Sequence, residues 1–150
     1  MKKLFLFLIA VGIAFSFSFS AQAQGAARKP DETVLRDDEL ESEAKHNLEV
    51  ARHYFKLKKA YVASLSRCEE IIAAYPLFSK MDEVLYIAGV SSLRLADGKG
   101  KQRAKKTPEQ LRDDARIYLS QLVNDFSQSE FKAEAEKELA ALGGALKKKE

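Results

Sequence analysis

The chain has 150 residues, 46% hydrophobic and 31% charged, with 25 Lys and Arg against 22 Asp and Glu for a formal net charge of +3. That length makes one ordinary domain, long enough for a helical core, and the near balance of charge asks for no nucleic-acid partner. The single cysteine excludes an internal disulfide.

Lys2 and Lys3 precede an unbroken apolar run from Leu4 to Phe15, then a Ser/Phe stretch and Ala21-Gln22-Ala23. A basic start, an apolar stretch and a small-x-small site describe a secretory signal, so residues 1–23 are read as a cleaved signal peptide and export to the periplasm follows. The alternative is a membrane-spanning anchor, for which the 12-residue run falls short of the roughly 20 residues a bilayer core requires. Without Lys2 and Lys3 the basic residues number 23 against 22 acids, so the mature chain is almost neutral.

Residues 24–36 hold Gly, Ala, Lys and Pro without apolar period and are expected to form a flexible leader. A first helix is expected from Asp37 to Leu57, acidic in its opening turn (Asp37, Asp38, Glu39, Glu41) as the positive end of a helix dipole favours. Leu40, Ala44, Leu48, Ala51 and Phe55 form its apolar stripe. The second helix, Tyr61 to Tyr75, carries Tyr61, Leu65, Cys68, Ile72 and Tyr75 on one stripe and ends before Pro76. The turn between them is too short for divergence, so the two should pack antiparallel.

Ser79, with Asp82 three residues on, is the expected cap of a third helix that runs to Ala96 before Asp97-Gly98. Met81, Leu85, Ala88, Ser92 and Leu95 form its stripe. Gly89 inside it costs roughly 1 kcal/mol against Ala, which makes sense where a neighbouring helix backbone comes close. From Lys99 to Lys106 the chain is basic (Lys99, Lys101, Arg103, Lys105, Lys106) and has no aromatic residue to stack on bases. It is expected as a solvated, mobile loop, with docking on an acidic protein surface or lipid headgroups as the other reading. Thr107-Pro108-Glu109-Gln110 then opens a fourth helix with a threonine cap, proline in the first turn and a capping-box glutamine. Ser127 with Glu130 is the expected cap of a fifth, which carries Phe131, Ala135, Leu139 and Leu142 on one side and stops at Gly143-Gly144. Residues 143–150 are expected as a disordered, solvated tail.

Little here suits catalysis. His46, Glu49 and His53 share a helical face and in principle offer zinc ligands, but they span two turns without an evident fourth ligand. Cys68 sits on an apolar stripe, the place of a small buried hydrophobe more than of a reactive thiol. Neighbouring carboxylates such as Asp113-Asp114 and Glu69-Glu70 point apart on a helix, which suits solvation over acid–base work. No catalytic residue, metal or cofactor is therefore expected, and the chain is read as a binding protein.

Ser64, Cys68 and Ile71 recur as Ala115, Leu119 and Leu122, each 51 residues on. A hairpin that cannot bury its own stripe needs such a second copy. In this the chain resembles the tetratricopeptide repeat. Ala51, Tyr54, Ser64, Cys68, Ile71 and Pro76 occupy the repeat's positions in the first copy, and Gly89, Ser92, Ala115, Leu119, Leu122 and Ser127 occupy them in the second. Three departures stand out: one additional residue between Ala51 and Ser64, Ser92 in place of an aromatic, and Ser127 in place of proline. The phrasing AAYP followed by KMDEVLYIAGVSSLRL makes the chain similar to the BamD (YfiO) branch of envelope proteins, over Glu41 to Leu142.

The resemblance implies an all-α array of antiparallel hairpins over residues 37–142, with five helices in two and a half repeats. It also implies a non-catalytic scaffold that binds other cell-envelope proteins and assists outer-membrane protein assembly. A module associated with the Tol-Pal system, or an oligomerising periplasmic module that pairs with its own copies, is the alternative. By register with the repeat, Lys45, Leu48, Arg52 and Phe55 from the first copy and Tyr86, Val90 and Arg94 from the second line the inner, protein-binding surface. Leu48, Phe55 and Val90 read equally well as core. Members of the branch carry a lipid on a cysteine next to the cleavage site, where this sequence has Gln24. Membrane contact is accordingly expected to be indirect, through a protein partner at the outer membrane.

Overall fold

The computed structural model describes residues 38–147. The expected signal peptide, the leader and the last three residues of the tail lie outside the described residues. Five α-helices follow one another with no strand among the described residues: α1 (Asp38–His53), α2 (Tyr61–Ala74), α3 (Met81–Ala96), α4 (Pro108–Asp125) and α5 (Lys132–Ala141). None of them is long and apolar enough to cross a membrane. This is the all-α, tetratricopeptide-like architecture expected from the stripes.

Two hydrogen bonds fix the direction of the first hairpin. The Ser64 hydroxyl donates to the Ala51 carbonyl at 3.0 Å, and the Tyr75 hydroxyl donates to Glu43 at 2.7 Å. The late part of α1 thus meets the early part of α2 and the reverse, so the pair is antiparallel. Each helix packs on its neighbours in sequence, and the contacts sort the helices into two layers. Arg52 of α1 reaches Glu83 of α3, and Tyr86 of α3 reaches Phe131 and Glu134 beside and on α5. In the other layer, Tyr118 of α4 reaches Glu69 of α2.

The core lies between the layers. Ser64, Cys68, Ile71, Ala115, Leu119 and Leu122, the residues that recur at 51, are all fully buried. Helix α3 contributes most, from Met81 to Ala96, because it is covered by α2 on one side and α4 on the other. Leu40, placed on the stripe of α1 by its spacing, is 43% exposed at the open end of the array.

The connections between hairpins repeat as well as the helices. Tyr75 N–H donates to Ile71 O at 2.8 Å and Phe126 N–H to Leu122 O at 2.9 Å. Phe78 N–H to Tyr75 O and Ser129 N–H to Phe126 O are both 3.0 Å, and Met81 N–H to Phe78 O and Lys132 N–H to Ser129 O are both 3.2 Å. Backbone bonds of one kind therefore close both turns, although Pro76 has been replaced by Ser127 in the second. Proline is one way to end such a helix and not a requirement.

Several expectations are corrected at the boundaries. Neither Ser79 nor Ser127 caps a helix: the cap residues of α3 and α5 are Lys80 and Phe131, and neither makes a side-chain cap bond. The Ser79 hydroxyl is taken by Glu41 of α1, and Ser129 donates to Asp82 of α3 at 2.7 Å. Both turns thus bond back to a preceding first helix, which local spacing cannot show. By contrast Thr107 caps α4 as expected, with Gln110 N–H donating to its hydroxyl at 3.3 Å and Thr107 N–H donating to Gln110 Oε1 at 2.9 Å.

Helix α1 runs without a break into a π-helical turn, Tyr54–Lys58, which ends at Lys59 in the left-handed region (φ 49°). A π turn holds one residue more than the α-helix it interrupts. The additional residue between Ala51 and Ser64 is absorbed there, and Ala51 and Ser64 still meet.

Two stretches expected to be solvated are held against the helices. Arg116 Nε donates to Gly144 O at 2.8 Å, Leu146 N–H donates to Ser120 Oγ at 2.8 Å and Asn124 Nδ2 donates to Leu146 O at 2.9 Å, so residues 143–147 lie along α4. Gly143 and Gly144, at φ 86° and 90°, make the reversal after α5. The basic connection between α3 and α4 folds back over the first hairpin's turn: a Cβ added to Gly100 would come within 3.0 Å of the Tyr61 ring and 3.1 Å of the Lys59 carbonyl. Its far end is pinned by Lys106, whose ammonium lies 2.7 Å from Asp114 and 3.4 Å from Glu69.

Candidate functional site

The first helix of each pair, α1, α3 and α5, contributes to one face of the molecule, and the residues placed there by register divide into three groups. Lys45 is exposed and loosely paired with Glu41 one turn earlier, at 3.8 Å, a contact worth little in water. Arg52 is committed within the chain: Nε donates to Glu83 Oε1 at 2.6 Å and Nη2 to Glu83 Oε2. This fork-to-fork pairing raises the pKa of the guanidinium against the opposing effect of burial. Arg52 therefore ties α1 to α3 and lends the face a neutral pair.

Phe55 is half-buried and Val90 is buried. Phe55, in the π turn, meets the Tyr61 ring edge-on with centroids 5.8 Å apart, so it packs on α2. Val90 is 4% exposed, inside the layer between α3 and its neighbours. Leu48 is likewise buried. Leu48 and Val90 are thus core residues, while Phe55 packs against the core and keeps part of its ring at the surface.

Tyr86 and Arg94 remain on the face. The Tyr86 ring stacks on Phe131 with centroids 4.9 Å apart and planes 21° from parallel, and its hydroxyl donates to Glu134. Burial first, and then the carboxylate of Glu134, push the Tyr86 pKa well above that of a free phenol. The hydroxyl therefore stays protonated and remains a donor at any physiological pH. Arg94, two turns further along α3, is half-buried and has no ion-pair partner among the described residues. A stacked aromatic pair and an uncommitted guanidinium are elements that protein interfaces favour.

Glu83 and Glu134 belong to this face and were not singled out from sequence, and Phe131, read as part of the apolar stripe of the fifth helix, belongs to it too. A signal existed: Glu134 stands 51 residues after Glu83, the same interval that relates the core positions. Each of the two carboxylates reaches back to the preceding first helix, Glu83 to Arg52 and Glu134 to Tyr86. The two histidines gather no ligands: His46 and His53 are exposed, and among the described residues no group of three or more His, Cys, Asp or Glu is placed to hold a metal ion.

Compared with known proteins, residues 69–150 match the family described as YfiO, outer membrane lipoprotein. No curated protein and no solved structure matches the chain. The matched residues run from the middle of α2 through α5 and its tail, so α1 and the first half of α2 precede them. With more than half of its length matched, the chain belongs to the YfiO family of outer membrane lipoproteins.

Proposed function

We propose that the protein is an exported, non-catalytic scaffold that binds other proteins of the cell envelope and assists outer-membrane protein assembly, working in the periplasm at the outer membrane. Membership of an outer-membrane family supports the location. The observation that carries the binding role is the face of α3 and α5, where Tyr86 stacks on Phe131 and Arg94 has no counter-ion among the described residues. Such a face gives a partner a flat aromatic platform and a donor fork for a carboxylate or backbone carbonyl. Lys45, midway along α1, adds an exposed charge. Arg52 joins α1 to α3 through Glu83, Phe55 packs on Tyr61 of α2, and buried Val90 anchors α3 behind the face.

Photo-crosslinking in cells tests this reading. A benzoylphenylalanine at position 94 is expected to give adducts with envelope proteins, while the same group at Ile117, exposed on α4, is expected to give none. Equal labelling from the two positions, or none from position 94, would overturn the assignment of this face.

A further inference from the structure

The antiparallel order brings two basic stretches to one pole of the molecule. The turn after α1 carries Lys56, Lys58 and Lys59, all exposed, and the connection after α3 carries Lys101, Arg103 and Lys105, also exposed. Gly100 packs on the Lys59 carbonyl and the Tyr61 ring, so these stretches form one patch. Three acids near the patch are already matched. Asp97 pairs with Lys99 and Arg112, and Glu69 and Asp114 pair with Lys106. The six cations named above have no ion-pair partner among the described residues.

Amid the lysines of the turn stands Leu57, 73% exposed, the most exposed large hydrophobic residue of the described chain. We propose that this pole docks directly on an anionic phospholipid surface, with the six basic side chains at the phosphates and Leu57 inserted below the headgroups. Of the two docking readings the sequence left for the basic stretch, this selects the lipid surface, adds the turn after α1 and names the residue that inserts. A bilayer accepts diffuse charge around an apolar plug with no demand on geometry. A protein partner fits the patch less well: interfaces between proteins are depleted in lysine and enriched in aromatics and arginine, whereas this patch has five lysines, one arginine and no exposed ring. Lysine is also a flexible point charge, suited to a surface whose phosphates have no fixed positions.

The test is sedimentation of the whole exported protein with vesicles of phosphatidylcholine, alone or mixed equally with phosphatidylglycerol. Binding is expected only to the mixed vesicles and should fade as salt is raised. Each basic side chain at such a surface contributes about a fivefold gain, so K101E/R103E/K105E should weaken binding by roughly a hundredfold or more. Leu57→Ser should weaken it about tenfold, as expected for a partly inserted leucine. All four positions are exposed, so circular dichroism should be unchanged, and each variant shares its N-terminal residues with the parent, so the difference isolates this pole. Failure to bind mixed vesicles, equal binding to neutral ones, or full binding by either variant would overturn the proposal. Retention on immobilised polyglutamate without vesicle binding would overturn it in favour of an acidic protein surface.

Discussion

Gly89 lacks a side chain because Leu119 fills the space one would take. A Cβ there would lie 2.6 Å from Leu119 Cγ and 2.7 Å from its Cδ2. The expected close approach is real, but it is made by a buried side chain and not by a backbone. Gly89→Ala gains up to about 1 kcal/mol of helix propensity and loses about 1–3 kcal/mol to overpacking. We expect a net loss of stability in urea denaturation, and a gain for the same change in a Leu119→Ala background, where the clash is gone. Tyr118 offers a pH-dependent counterpart. Burial, followed by the charges of Glu69 and Asp114, raises its pKa to about 12. A phenol that ionises later in the folded state than in the unfolded one stabilises fully below pH of about 10, and that contribution is lost as pH rises towards 12. Tyr118→Phe is therefore expected to flatten the fall in stability over that interval, read from melting temperatures at successive pH values. The commitment of Arg52 to Glu83 could not be read locally, because its partner lies 31 residues away on another helix.

At the scale of elements, what local chemistry decides was legible and what distant contacts decide was not. The start of α4 is set by four adjacent residues that satisfy one another, so its position followed from sequence. Thr107→Ala removes one member of that box and is expected to cost about 1 kcal/mol, measured by thermal melting, while Thr107→Ser should retain most of the stability. The starts of α3 and α5 use hydroxyls that bond to Glu41 and Asp82, and reading a cap at Ser79 or Ser127 missed this for lack of any local trace. The π turn at Tyr54–Lys58 was visible only as a surplus residue in the spacing; its form required knowing that Ala51 and Ser64 must still touch. The recurrence at 51 was the more powerful signal, since carried one helix further it also pairs Glu83 with Glu134.

For the whole molecule, the stacking of pairs places the sole thiol at the centre of the array. Cys68 is fully buried between the layers, and burial, then Glu69 and Glu83, hold its pKa far above the ordinary thiol value. Its modification by a thiol reagent should therefore require opening of the array, at a rate that rises with denaturant along with global unfolding. Rapid labelling in the absence of denaturant would show α2 detaching on its own.

Residues 143–147 grip α4 through Arg116, Ser120 and Asn124. Counted back by 51, those three positions are Leu65, Glu69 and Ala73 of α2, the strip whose Glu69 receives Tyr118 of the following hairpin. The short peptide thus occupies the strip of α4 equivalent to the one by which α2 meets the following hairpin, so another helix packing there would first displace it. Protein lacking residues 143–150 is expected to dimerise with rising concentration in light scattering, whereas a strict monomer would show that the vacated strip attracts nothing.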